Sequence, residues 1–108
     1  MKEVYFHNNG RDEDVGNFLI SLGEHQHAVL EDLFIIANAG PDALDCGDHG
    51  GHLRELRRLI APGRYVVLLF IYLKEIDAYI VLHGFRAGRE GATRADIRHA
   101  RRVQKAYE

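Results

Sequence analysis

Two apolar stretches at residues 65–73 and 79–85 stand almost back to back, parted by the polar Lys74, Glu75 and Asp77. Each has the length of a strand and is apolar at nearly every position, the pattern of strands buried on both faces. A sheet built on them must be covered twice. Helices supply one cover, and the terminal helix, a second copy of the chain or a partner supplies part of the other. The longest apolar run, 65–73, falls far short of the roughly 20 residues a membrane span requires. At 108 residues and 46% hydrophobic composition the chain reads as a single domain, 1–108, able to bury a core without metal or disulfide. The lone Cys46 cannot form an internal disulfide, and the first twenty residues lack the basic start and apolar stretch of a signal peptide. A cytoplasmic protein is the expectation.

Around those stretches the punctuation predicts the remaining elements. A strand is expected over residues 4–7, closed by the Asn8-Asn9-Gly10 turn signal. Asp12, Glu13 and Asp14 place negative charge at the start of a first helix, whose apolar face is Val15, Phe18, Leu19 and Leu22 and whose end is Gly23. Val29, Leu30, Leu33, Phe34, Ile36 and Ala37 predict a second helix stopped by Ala39-Gly40-Pro41, so the two form an antiparallel hairpin. Residues 41–51 read as a loop. Strands are expected at 53–60, 65–73 and 79–85, and a final helix opens near Thr93, with Asp96 as its capping acid and Ile97, Ala100, Val103 and Tyr107 as its buried stripe. The fold class is α+β: an N-terminal strand and a helical hairpin packed on an antiparallel β-sheet, with a C-terminal helix. Helices then lie mainly on one face, and the other is left as a working surface.

Charge is distributed unevenly along the chain. Residues 1–51 carry two bases against ten acids, a net −8, and residues 52–108 carry twelve bases against six acids, a net +6. Either the second part meets a polyanion or an acidic partner, or the acidic helices neutralise the basic strands on folding.

Four segments in order now resemble a known family: His-Leu-Arg-Glu-Leu-Arg at 52–57, Gly-Arg-Tyr-Val-Val-Leu-Leu-Phe at 63–70, Ile-Val-Leu-His-Gly-Phe at 80–85, and Thr-Arg-Ala-Asp-Ile-Arg-His-Ala at 93–100. In order and spacing they are similar to the phage-derived HigB-like toxins of the RelE superfamily, and the helical hairpin before them fits as well. The resemblance implies a RelE-like fold and the toxin of a type II toxin–antitoxin system. Such a toxin is an endoribonuclease that cuts messenger RNA, usually on the ribosome, and is held inactive by a helix-turn-helix antitoxin. It implies no cofactor: the ribose 2′-hydroxyl attacks the neighbouring phosphate, and the protein aligns that attack and offsets the charge that develops.

Carried over by position, Arg57 matches the arginine of the glutamate-leucine-arginine strand. It shares a face with Glu55 while Leu56 points to the helices, so it is either a phosphate contact or half of a Glu55 ion pair. His83 matches the family histidine and is either an acid/base group or a hydrogen-bonded core residue. Val66 stands where the family has a middle-strand arginine, and Arg64, two residues earlier on the same face, is the candidate substitute. Arg94 likewise stands where the family has a proline. Arg54, Arg86, Arg89 and Arg98 are candidate phosphate contacts, with Arg86 and Arg89 near the place of the family's paired lysines, and Tyr107 is either a base-stacking group or part of the core.

Two other functions compete. Cys46, Asp48, His49 and His52 are zinc-type ligands within seven residues, with His25 and His27 the only further pair to complete four. A non-catalytic module that uses the same fold to bind an antitoxin-like partner is the other.

Overall fold

The computed structural model describes residues 1–10 and 14–108; Asp12 and Glu13, expected at the first helix start, lie outside the described residues. Among the described residues five strands are formed: β1 (Glu3–Phe6), β2 (Gly47–Asp48), β3 (Arg54–Ala61), β4 (Arg64–Leu73) and β5 (Ala78–Ala87). They make one sheet in the order β1-β5-β4-β3-β2. The helices are α1 (Val15–Ser21), α2 (Gln26–Ala39) and α3 (Arg94–Gln104). The architecture is thus α+β with a mixed sheet.

Two expectations about the sheet need correction. It is not wholly antiparallel, because β1 lies parallel to β5 in the register Glu3↔Ala78 to Phe6↔Val81. No hairpin links β1 to its neighbour, so local turn signals carry no information about its direction; the chain leaves it for the helices and returns as β5 only after α1, α2, β2, β3 and β4. Residues 41–51 are not simply a loop either. They hold a 3-10 turn at Pro41–Leu44 and the short β2, paired to β3 through Gly47↔Glu55 and Asp48↔Arg54.

The helical hairpin covers one face. Val15, Leu19, Leu22, Val29, Leu33 and Ile36 pack on Leu56, Val66, Leu68, Phe70, Tyr79 and Val81. Asp14 caps α1 by accepting the Asn17 N–H at 3.0 Å. Phe34 and Leu30, expected in the buried stripe of α2, are 58% and 39% exposed, and Asp32 is buried instead. Helix α2 carries two apolar stripes, and periodicity cannot say which one docks. Burial pushes the Asp32 carboxyl up, with the Arg58 guanidinium 3.4 Å away drawing it back.

Helix α3 covers the second face, so helices do not lie mainly on one side. Ala100 and Val103 meet Leu53, Leu69, Ile71, Ile80 and Leu82, with Ile97 and Tyr107 partly buried beside them. Its N-terminus carries the expected capping box: Thr93 Oγ1 accepts the Asp96 N–H, and the Asp96 carboxylate accepts the Thr93 N–H. Burial alone would push the Asp96 carboxyl up, but hydrogen bonds from the Thr93 N–H and hydroxyl and from His83 outweigh it and hold the group below its usual range.

A bulge in β5 decides which side chains face α3. The register runs Leu69↔His83 and then Phe70↔Val81, leaving Leu82 as an extra residue. Such an insertion reverses the alternation beyond it. Leu82 and His83 therefore both reach the α3 side, while Gly84 turns to the hairpin; a Cβ at Gly84 would lie 2.6 Å from the Phe18 ring and 2.9 Å from Leu68.

Candidate functional site

On β3 the alternation expected from sequence holds: Leu56 joins the hairpin core and Arg58 reaches Asp32 on α2, whereas Glu55 and Arg57 face the α3 side. Glu55 is only 2% exposed. Its carboxylate is shared, with Oε1 2.6 Å from His49 Nε2 and Oε2 accepting the Arg57 Nε–H. Sequence reasoning weighed Glu55 only as an ion-pair partner and His49 only as a metal ligand. The signal that joins them is the β2–β3 hairpin, which folds residues 47–48 back against 54–55.

The surroundings fix both partners. Asp48 Oδ1 accepts the Gly50 N–H at 2.8 Å, and His49 N–H donates to the Leu53 carbonyl at 2.9 Å, closing the turn that holds the imidazole. From α3, Arg101 donates to the carbonyls of His49 and Gly50 at 2.9 and 3.0 Å, and Gln104 donates to that of Gly51 at 2.8 Å. The Arg57 guanidinium lies against the chain that follows β5, donating to the carbonyls of Arg89 and Glu90 at 3.1 and 3.3 Å. Gly91 makes this possible. Its φ of +67° suits glycine, and a Cβ there would fall 2.3 Å from Arg57 Cζ. A cleft of about 400 Å³, lined by Asp45, Asp48, His49, Glu55 and Arg57 among others, opens over the three groups.

The remaining sequence candidates are spread over both faces. His83 shares the α3 side, with Nε2 3.4 Å from Asp96 Oδ1 and its ring stacked on Phe85 and tilted against His99 at centroid distances of 4.8 and 4.4 Å. The register Glu55↔Leu69↔His83 sets it two strands from Glu55, about 10 Å across the sheet. Arg89 and Arg98 are exposed, the first beside Arg57 and the second on the outer side of α3.

Arg64, Arg86 and Arg54 belong to the other side of the sheet. Arg64 shares the face of Val66, which is part of the hairpin core, so it cannot substitute for a group beside Arg57. Arg86, turned over by the bulge, donates to the Ser21 carbonyl at 3.2 Å and lies over the Phe18 ring, so it does not pair with Arg89. Arg54 is a staple. It donates to the carbonyls of Gly47 and Cys46 and to Asp42 Oδ1 at 3.0, 2.9 and 2.8 Å. With Arg58–Asp32 it joins the basic part of the chain to the acidic part. Tyr107 packs in the α3 cluster, its hydroxyl 2.7 Å from His7 Nδ1.

The zinc-type ligands do not converge. Cys46 is buried on the hairpin side, and burial pushes its thiol up to about 11. His49 serves Glu55, and His52 is exposed in the turn with φ of +70°. Among the described residues no three His, Cys, Asp or Glu side chains come together to hold a metal ion.

No family model, curated protein or solved structure matches this chain. Among the described residues no helix is long and apolar enough to cross a membrane.

Proposed function

We propose that the chain is a cytoplasmic toxin of a type II toxin–antitoxin system, a metal-independent endoribonuclease of the RelE-like, HigB-like kind that cuts messenger RNA on the ribosome. The observation that carries this reading is the Glu55 carboxylate, almost wholly withdrawn from water and held between His49 and Arg57 at the floor of an open cleft. Attack of the ribose 2′-oxygen on the neighbouring phosphate breaks its bond to the 5′-oxygen, so the step needs a proton acceptor at the attacking hydroxyl, fixed positive charge at the phosphate and a proton, supplied by solvent, for the departing 5′-oxygen. His49, oriented by Glu55, fills the first role, and Arg57 fills the second with its planar fork. The exposed Arg89, next to the carbonyl that Arg57 holds, and the exposed Arg98 on α3 are the further cations that guide the RNA backbone in this reading. His83, two strands away and tied to Asp96, links β5 to α3 and is not assigned a proton transfer at the same phosphate. A helix-turn-helix antitoxin that covers the cleft completes the proposal.

A second reading is a non-catalytic binding module, favoured by one observation: three of the Arg57 donors are already committed to Glu55, Arg89 and Glu90. In that reading Arg57 staples the segment after β5 to the sheet.

The test is incubation of the purified chain with ribosomes translating a defined message, followed by mapping of 5′ ends and analysis of 3′ termini. Cuts in the reading frame that leave a 2′,3′-cyclic phosphate, absent with folded Arg57→Ala, are the expected result. Intact message from the folded parent chain overturns the nuclease reading in favour of the module.

A further inference from the structure

We propose that the outer edge of β1, with the apolar groove beside it on α2, is an interface between two copies of this chain; the proposal stands apart from the nuclease reading. His7 N–H donates to the Val81 carbonyl, so in the parallel register residues 3 and 5 direct their backbone groups to β5, as does the N–H of His7, whose carbonyl accepts the Val15 N–H. Those of Val4 and Phe6 therefore point away from the sheet. Lys2, next in the same alternation, gives its outward N–H to the Ala37 carbonyl at the end of α2. An unpaired strand edge is a template for another strand.

Beside this edge runs a groove of about 230 Å³ lined mainly by apolar side chains, Val4, Phe6, Leu30 and Phe34 among them, with Lys2 and Glu3 at β1. Tyr5 is 51%, Phe6 38% and Phe34 58% exposed, a concentration of large apolar side chains on one border of the molecule. Strand β1 is complementary to itself. A two-fold axis at Tyr5, perpendicular to the sheet, sets Val4 opposite Phe6 of the second copy in hydrogen-bonded pairs and Tyr5 opposite its own equivalent. The same axis keeps both α2 helices on one side of the joined sheet, where the Leu30 and Phe34 of each copy meet. The exposed rings and aliphatic groups supply on the order of 500 Å² per copy. That is near the lower limit of about 1,000 Å² in total for a specific interface, so a concentration-dependent dimer is expected.

Sedimentation velocity over a concentration series, with Phe34→Glu and Tyr5→Cys variants, tests this. The parent chain should pass from monomer to dimer as concentration rises, and Phe34→Glu, changed at an exposed position, should remain monomeric with an unaltered circular-dichroism spectrum. Tyr5→Cys should form a disulfide-linked dimer on mild oxidation, because the non-hydrogen-bonded pair holds the two Cα atoms about 4.5 Å apart, within disulfide reach. Glu3→Cys should not, since its equivalent is about 13 Å along the strand. A parent chain that stays monomeric throughout, or a dimer that survives Phe34→Glu or cross-links equally through residue 3, overturns the proposal.

Discussion

On the hairpin side of the sheet, Leu56, Val66, Leu68 and Phe70 meet Val29, Leu33 and Ile36 in a nearly pure apolar contact. On the α3 side, Leu69, Ile71, Ile80 and Leu82 share the surface with Glu55, Arg57, His83 and Asp96. Each side also buries a carboxylate, but Asp32 on the hairpin side has only Arg58 beside it, whereas Glu55 on the α3 side is shared by His49 and Arg57 under an open cleft. Taking a carboxylate out of water costs several kcal/mol, and an ion pair inside a protein often does no better than well-packed apolar groups. The hairpin side holds the molecule together; the α3 side spends part of that stability on a fixed arrangement of Glu55, His49 and Arg57.

The largest expected effect lies on the hairpin side. Phe70→Ala, at a fully buried position, should lower stability by about 3–5 kcal/mol, read as a fall in the urea midpoint. Next is Gly84→Ala, whose new methyl group collides with Phe18 and Leu68 beneath α1 and should cost about 1–3 kcal/mol. A neutral result there would mean that α1 is not pressed onto β5 as described. On the α3 side, Thr93→Ala removes the helix cap and should cost only about 1 kcal/mol by the same measurement. The smallest effect is conditional on pH. Because the folded-state pKa of Asp96 is depressed, its contribution is present above the unfolded value of about 3.9 and is lost as pH falls through the folded value. The stability difference between the parent chain and Asp96→Asn should therefore be seen at neutral pH and vanish in acid. A difference that persists in acid would assign the effect to packing.

The parts legible in the sequence were those with local causes. The strands and helices follow from apolar period and turn residues, the Thr93 cap from its acid three residues on, and the shared face of Glu55 and Arg57 from simple alternation. What was not legible depended on long-range partners. The parallel placement of β1 is fixed by β5, more than seventy residues away along the chain. A bulge at Leu82 leaves no local mark, yet it sends His83 to α3 and Arg86 to α1. Alternation pairs Glu55 with Arg57, but only the β2–β3 register brings His49 to them, and only the backbone carbonyls after β5 fix the Arg57 guanidinium. Arg101 and Gln104 hold the His49 turn from α3 through backbone carbonyls about fifty residues earlier, a contact that no local pattern marks.

The central claim is that Glu55 is kept for chemistry and not for the fold, and cleavage of ribosome-bound message by Glu55→Leu, measured beside its unfolding curve, tests it most directly. Leucine fills the buried position and leaves Arg57 partly solvated. Stability should fall by less than the roughly 3–5 kcal/mol that an uncompensated buried charge costs, because Arg57 and His49 both keep access to water. Cleavage should be lost. A folded Glu55→Leu that cuts messenger RNA as the parent chain does would contradict the account.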